Sequence, residues 1–443
     1  MQQIRLATVF SGIGAIEESL KQLNIPHVIK FACDNGEREP KQDFSTLYKV
    51  AKNALLEERA DELLREFIRK LFKRKIKNGV LSDEIKNIYD DIRCKPIIEQ
   101  VKELDSLEDK EYEDETFKFQ LSYDEIAWAK NILDEQELDS FIEKWYESTK
   151  KENYVKKSYL ANYKIENDSW YEDVRFLDGK KYEGQVDLFC GGSPCQSFST
   201  YGKKRGLEDA RGTLFYDYVR LINEIKPKVF IYENVKGLLT HDKKRTWEVI
   251  THIFNKLDYR IYSAVLDAQD YGLPQMRARI FVVGIRKDIG KGKKFKFPEK
   301  MPLTKKSSDY LDKNVDNKYY LGKGGFEWAT KKEKHKNKTR VNRDIIGCQT
   351  ANQQDNWIGD LRIERPKKCH YEDERIYVGD YEGKSAVARK MTPNECVKLM
   401  GFENFKIVVD DTKMYRQAGN SIAVPVLNAI IKELSDILEI EID

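Results

Sequence analysis

The chain has 443 residues, 35% of them charged and 40% hydrophobic, with a net charge of +3. That length exceeds what one core ordinarily fills, so two or more domains are expected, one of them exposed and heavily charged. The small net charge neither requires nor excludes nucleic acid, because a basic groove can be offset by an acidic surface elsewhere.

No apolar run is long enough to span a bilayer, and Met1-Gln2-Gln3-Ile4-Arg5 lacks a signal peptide, so the chain reads as cytoplasmic. The seven cysteines show no C-x-x-C spacing. Cys348, Cys369 and His370 come nearest to a metal cluster, but their spacing fits no zinc pattern, and no metal is expected.

In chain order, Ile4 to Phe10 reads as an apolar strand, followed by Ser11-Gly12-Ile13-Gly14 and a helical pattern from Ala15 to Leu20. Strand, glycine turn and helix open an α/β nucleotide-binding unit. A second strand, Val28 to Cys33, ends at Asp34. From about 40 to 165 the character changes. Leu55, Leu56, Leu63, Leu64, Phe67, Ile68, Leu71 and Phe72 recur at helical spacing among charges. A second such helix is expected from a capping box, Ser122 with Glu125, burying Ile126, Ile132, Leu133, Leu138, Phe141, Ile142 and Trp145. The segment reads as a charged helical insertion, with a solvated face or a partner-binding one.

Strand-helix alternation then resumes. Strands are expected at Val186–Cys190, Val229–Tyr232, Ile261–Leu266 and Ile280–Ile285, with helices near 213–225 and 245–257. This predicts a mainly parallel sheet with helices on both faces. From about 287 to 390 lysines are dense and apolar runs short, as for a small domain of strands and loops. An amphipathic helix, Ala423 to Leu438, closes the chain. The expected division is a catalytic domain in three parts (1–39, 166–300 and 389–443), the insertion at 40–165 and the small domain at 301–388.

An open α/β sheet binds ligands at the carboxyl ends of its strands. The glycine pair Gly191-Gly192 breaks a strand just before Ser193-Pro194-Cys195-Gln196. Glycine permits a sharp exit and proline fixes the backbone ahead of the sulfur. Such a cysteine is a nucleophile at the mouth of a cleft or an ordinary small buried residue, and the two readings are told apart by its partners. Glu233-Asn234-Val235 follows another strand, and Gln275-Met276-Arg277-Ala278-Arg279 leads into the strand at Ile280.

In this order the motifs resemble those of the DNA (cytosine-5)-methyltransferases. The match takes in Phe10-Ser11-Gly12-Ile13-Gly14, Pro194-Cys195-Gln196, Glu233-Asn234-Val235 and Gln275 to Arg279. It continues through Arg389 to Cys396 before Met400-Gly401-Phe402, and Gly419-Asn420-Ser421. The resemblance covers about 1–40, 170–300 and 388–443. It implies a Rossmann-like, S-adenosylmethionine-dependent methyltransferase fold with a target-recognition domain at 301–388. It also implies methyl transfer to carbon 5 of a flipped-out cytosine in a specific sequence of double-stranded DNA. A monomer, in functional pairing with a restriction endonuclease or acting alone, is the expected form.

The resemblance assigns Phe10 to stack on the cofactor's adenine, with Ser11, Gly12 and Gly14 forming the loop beside its methionine part. Asp34 takes the ribose hydroxyls, Asp173 the adenine amino group, and Asn420 and Ser421 return to the cofactor from the far end of the chain. The family often has an aromatic residue after the acid, where this chain has Asn35. Cys195 is the thiolate that adds to carbon 6, Glu233 the acid at ring nitrogen 3, Arg279 the donor to the carbonyl oxygen, and Arg277 its support. No residue is assigned as the base that removes the carbon 5 proton.

Gln196 to Gly212 reads as a closing lid, with Tyr201 towards the space the base vacates and Gln196 and Ser199 among its DNA-binding residues. Lys203, Lys204, Arg205 and Arg211 lie towards phosphate. Gln353, in Asn352-Gln353-Gln354, is expected at adenine edges, and Lys331 to Arg340 at the backbone. Two other functions are discriminated by sequence. A tRNA methyltransferase of similar fold carries a Cys-Phe-Thr signature, absent here. An inactive DNA-binding regulator is expected to lose Cys195, Glu233 or Arg279, and all three are present.

Overall fold

The computed structural model describes residues 3–77, 95–106, 111–112, 115–116, 121–193, 210–290, 292–330, 339–354 and 359–441. The chain divides into two compact units. One comprises Met1–Asp34, Tyr154–Tyr171 and Asp178–Asp443, and the other Asn35–Asn153 and Glu172–Leu177.

In the first unit, seven strands among the described residues form one sheet. They are β1 (Ile4–Val9), β2 (His27–Cys33), β3 (Trp170–Tyr171), β4 (Leu188–Gly191), β5 (Val229–Val235), β6 (Tyr259–Asp267) and β7 (Ala278–Arg286). Their spatial order is β3-β2-β1-β4-β5-β7-β6. The first five run parallel, while β7 is antiparallel to both β5 and β6. The strand order reverses between β1 and β4, which is where an open α/β sheet offers a crevice.

Alternation along the strands sorts the two faces. Leu188, Cys190, Val229, Ile231, Phe281, Val283 and Ile285 join one core, built with the helices Ala15–Gln22 and Val424–Leu438 through Ile16, Leu20, Leu427, Ile430 and Leu434. The intervening residues Phe189, Phe230 and Tyr232 meet Phe215, Tyr218 and Phe254 from the helices Ala210–Ile225 and Arg245–Asn255. A Cβ on Gly284 would lie 2.0 Å from the Phe230 ring, so that ring requires glycine on the neighbouring strand.

The second unit has its own core, with Phe44, Leu47, Leu63, Leu64, Phe67, Leu71, Phe141 and Trp145 buried together. Its boundaries differ from the expected 40–165. Residues 154–171 belong to the sheet unit, because Tyr159, on the helix Tyr154–Asn162, is buried in the sheet core. Residues 172–177 return to the helical unit, where Phe176 enters the core. The capping box at Ser122 and Glu125 forms, but its helix stops at Ile126. A 3-10 turn follows, and a second capping box, Asp134 with Glu137, starts the helix Glu135–Glu147. The single helix expected there is therefore broken, because Asp134 competes for the backbone and begins a new N-terminus.

Near the chain's end a smaller sheet has the order β8-β9-β11-β10, from β8 (Thr339–Val341), β9 (Gly359–Glu364), β10 (Gly379–Tyr381) and β11 (Lys384–Arg389). Leu321, Phe326, Leu361, Ile363, Ala386 and Ala388 form its core. It is part of the sheet unit rather than a separate body. Arg389 helps to join them: its guanidinium binds Glu395 bidentately at 2.8 and 2.9 Å and Glu364 at 2.7 Å. Among the described residues no helix is long and apolar enough to cross a membrane, and no group of His, Cys, Asp and Glu is arranged to hold a metal ion.

Candidate active site

The carboxyl ends of β1 and β2 are tied together by a short loop. Phe10, Gly12 and Gly14 all have left-handed backbones, with φ of 53°, 54° and 77°. For Phe10 this is an uncommon conformation. The Ser11 hydroxyl accepts from the Cys33 amide at 3.1 Å, and the Gly12 amide donates to the Asp34 carboxylate at 3.1 Å. The two glycines differ in role. A Cβ on Gly12 would project into open space, whereas one on Gly14 would lie 2.3 Å from the Tyr163 ring. Gly12 thus leaves a bare backbone facing free volume beside a carboxylate, and Gly14 lets the Tyr163 ring close over the start of the helix Ala15–Gln22.

The second cluster sits where β4, β5 and β7 end side by side. Val235 pairs with Arg279 and Glu233 with Phe281, so Glu233 and Arg279 are diagonal neighbours on one face. Arg279 Nε lies 3.2 Å from Glu233 Oε1. Burial pushes the Glu233 carboxyl upward, and Arg279 and then Arg277 oppose that shift without cancelling it. The result is an acid that holds its proton above the ordinary carboxylate range, with a fixed cation beside it.

Asn234 points to the other face and is buried. Its amide donates to the Ser193 carbonyl at 3.2 Å and to the Tyr232 hydroxyl at 2.9 Å, while Ser193 Oγ and Tyr232 Oη lie 2.8 Å apart. This network fixes the chain two residues before Cys195. Neither Gly191 nor Gly192 has a positive φ, so the sharp exit expected of them is not their reason. Close approach is: a Cβ on Gly191 would meet the Val9 carbonyl at 2.6 Å, and one on Gly192 the Glu233 carbonyl at 2.5 Å.

Gln275, Arg277 and Arg279 share one face of an extended segment by their spacing of two. That face meets residues 346–349, which run parallel to it through the Gln275–Ile346 bridge. The Gln275 side chain accepts from the Gln349 amide at 3.1 Å and donates to the Leu399 carbonyl at 2.7 Å. Arg277 is buried, and its guanidinium donates to the carbonyls of Gln349, Gly419 and Ser421 at 2.8, 2.9 and 2.5 Å. It is a rivet between three segments.

Cys348, which sequence reasoning treated only as a neighbour in a failed metal pattern, lies 3.5 Å from both Arg277 Nη1 and Arg279 Nη2. Burial of the thiol pushes its pKa up, but the two guanidiniums outweigh that and lower it. The sequence offers no signal for this meeting, since nearly seventy residues separate the partners.

Other expected residues fall elsewhere. Cys195, Gln196, Ser199, Tyr201, Lys203, Lys204 and Arg205 lie outside the described residues, as do residues 331–338. Arg211 is in the first turn of the helix Ala210–Ile225. Asp173 belongs to the helical unit, where it takes the Tyr146 hydroxyl at 2.8 Å and binds the Arg175 guanidinium at 2.8 and 2.5 Å. Its carboxylate is thus engaged in a buried ion pair. Gln353 is buried and donates to the Gln349 side chain and the Tyr415 carbonyl at 3.0 and 3.1 Å. Asn420 ends the helix Asp411–Asn420, and Gly419 before it is pressed onto the Thr350 backbone, where a Cβ would lie 2.2 Å from the carbonyl carbon.

A sheet of this order, with a glycine loop after β1 and an acid after β2, is the Rossmann-like fold of the S-adenosylmethionine-dependent methyltransferases. A family model for C-5 cytosine-specific DNA methylase matches residues 138–436, more than half of the chain. The chain belongs to this family and is a DNA (cytosine-5)-methyltransferase. It is 36% identical over 294 residues to the Type II methyltransferase M1.ScrFI of Lactococcus lactis subsp. cremoris, covering 66% of this chain and 72% of that one. It is 33% identical over 305 residues to the Type II methyltransferase M.HpaII of Haemophilus parainfluenzae, covering 65% and 82%. The crystal structure of the S. pombe Dnmt2 methyltransferase is similar in fold, with a TM-score of 0.55 at 15% identity over 98% of this chain and 99% of that one.

Proposed function

We propose that this enzyme methylates carbon 5 of a flipped-out cytosine through a covalent adduct of Cys195 at carbon 6, with S-adenosylmethionine as donor. The observation that carries the reading is the Glu233–Arg279 pair, 3.2 Å apart, at the strand ends beside the exit towards Cys195. When bound, S-adenosylmethionine supplies an electrophilic methyl group on a sulfonium.

The residues after β1 and β2 fit that cofactor. Gly12 leaves open space for a ligand's polar atoms, Asp34 stands at the end of β2 for a diol, and Phe10 is held next to them. In the proposed mechanism the Cys195 thiolate forms a bond to carbon 6, and the ring's electron pair moves towards nitrogen 3 and the carbonyl oxygen. Glu233, whose carboxyl burial pushes upward, donates a proton to nitrogen 3. Arg279 donates to the carbonyl oxygen. Carbon 5 becomes nucleophilic and takes the methyl group. Loss of its proton to water then expels the thiolate, and nitrogen 3 returns its proton to Glu233. A base inside a duplex is out of reach of these groups, so the cytosine is flipped out at a cost of about a few kcal/mol.

On the same proposal the enzyme acts as a monomer on double-stranded DNA, either in functional pairing with a restriction endonuclease or alone. Expression in a bacterium free of cytosine methylation, with mapping of 5-methylcytosine, is expected to reveal one short motif. Cys195→Ala is expected to lose the methylation and retain DNA binding; methylation that survives in this variant would exclude the covalent route.

A further inference from the structure

Beneath the glycine loop lies an acid that the mechanism above does not use. Glu17, in the first turn of the helix Ala15–Gln22, is fully buried. Its neighbour Glu18 is satisfied by Gln22 at 3.0 Å, Lys21 at 3.4 Å and the Glu403 amide at 3.1 Å. Glu17 has fewer partners. Oε1 accepts from the Tyr159 hydroxyl at 2.5 Å and from Thr8 Oγ1 at 3.2 Å, and Oε2 has no partner among the described residues. A buried carboxylate with an idle oxygen and no cation in contact among the described residues is costly, so burial pushes the resting group towards its neutral form.

That acid is linked to the loop. Thr8 Oγ1 is 2.8 Å from Ser11 Oγ, which in turn meets the Cys33 carbonyl at 3.3 Å and accepts from the Cys33 amide at 3.1 Å. Cys33 immediately precedes Asp34. Thr8 has one hydroxyl proton and donates it either to Glu17 or to Ser11. An ionised Glu17 takes it and obliges Ser11 to donate back to Thr8. A neutral Glu17 frees it for Ser11, which then donates to Cys33. The hydroxyl chain has two discrete settings, and the charge on Glu17 selects between them.

The methyl donor differs from its product by one positive charge, a sulfonium against a neutral thioether. We propose that Glu17 is a specificity-determining residue that favours donor over product, ionising when the sulfonium cation is held in the loop and regaining a proton when only the thioether remains. The inference rests on the cofactor reading given above. The site then keeps one net charge across the reaction, and the product is released from a site that no longer carries the matching anion. Burial pushes the Glu17 carboxyl up to about 7, where modest differences in ligand charge change its occupancy. Among the described residues the groups facing it are Thr8 on β1, Tyr159 on the helix Tyr154–Asn162, Tyr163 just after that helix and Cys190 on β4, all neutral at that pH because burial raises each titratable one.

Calorimetric titration of the full chain with S-adenosylmethionine and with S-adenosylhomocysteine, in two buffers of different ionisation enthalpy, tests this without reading catalysis. The two ligands share their amino acid and nucleoside parts, so the difference in protons exchanged reports the sulfonium. At pH 7 the donor is expected to release up to about one proton more than the product. The affinity ratio of donor to product is expected to rise about fivefold or more from pH 6 to pH 8. Both effects are expected to vanish in Glu17→Gln. Tyr159→Phe removes the short donor to the ionised form and is expected to move the midpoint of the ratio to higher pH, which decides the matter should the glutamine variant not fold. Equal proton release by both ligands, or a difference that persists in Glu17→Gln, overturns the proposal while leaving the cofactor reading intact. Failure of both ligands to bind overturns the cofactor reading and this inference with it.

Discussion

The side-chain amide of Asn234 holds the carbonyl of Ser193 at 3.2 Å. The strand that presents Glu233 on one face therefore uses its next residue, on the opposite face, to set where the chain leaves β4 towards Cys195. Asn234→Ala removes the donor to a buried carbonyl and to Tyr232, and is expected to cost about 1–3 kcal/mol of stability. Turnover is expected to fall further than the melting curve accounts for, because the exit of β4 loses its anchor. Chemical denaturation and single-turnover methylation at a temperature where both proteins are folded check the two parts.

Glu233 holds its proton to a higher pH than an ordinary carboxyl because it is buried, in spite of Arg279. Activity that needs the protonated acid is present below that raised pKa and lost as pH rises through it. Glu233→Gln is expected to lower kcat by about 10²–10⁴-fold and to remove that descending limb, leaving a flat residual rate. A pH profile of kcat for both proteins is the measurement; an unchanged limb in the variant would assign it to another group.

Gly192 owes its identity to the Glu233 carbonyl, which a Cβ would meet at 2.5 Å, with Glu233 Oε2 at 3.2 Å. Gly192→Ala forces β4 and β5 apart at the reacting end, with an expected destabilisation of about 1–3 kcal/mol. The alanine variant is expected to bind cofactor normally and to fail in turnover, as comparison of cofactor titration with methylation rate will show.

Asp173 pairs with Arg175 inside the helical unit, both side chains being at most 10% exposed. Asp173→Asn leaves the arginine's charge uncompensated and is expected to destabilise by about 3–5 kcal/mol. Urea denaturation followed by tryptophan fluorescence, which senses the buried Trp145 of that core, is the direct check.

Glu17 also makes stability depend on pH. Its folded pKa of about 7 lies above the unfolded value, so the native state binds its proton more tightly. The corresponding stability is fully present below about pH 4.5 and is lost as pH rises through 7, amounting to about 3 kcal/mol. Thermal melts between pH 5 and 8 are expected to fall in the wild type more steeply than in Glu17→Gln.

Much of the sheet unit was legible in the sequence because its signals are local. Apolar runs ending in glycines, an acid after the second strand and charged residues after the fifth place ligand-facing groups at strand ends by the logic of parallel sheets. The helical insertion was legible from its periodicity. Its internal break was missed, though Asp134 and Glu137 carry the same spacing as Ser122 and Glu125. The boundary at 153 was missed because a helix that packs on the sheet looks like any other helix in a helical run.

The sequence by itself determined the succession of the main strands and helices along the chain and the family to which it belongs, since each depends on neighbours within a few positions. Only the tertiary structure decided which of those residues face one another. It paired Glu233 with Arg279, made Arg277 a buried rivet, tied Gln353 to Gln349 and Tyr415 and placed Glu17 under the glycine loop. These are contacts between segments distant in the chain. They follow from strand register and from the requirement that buried polar groups find partners, neither of which a local pattern specifies.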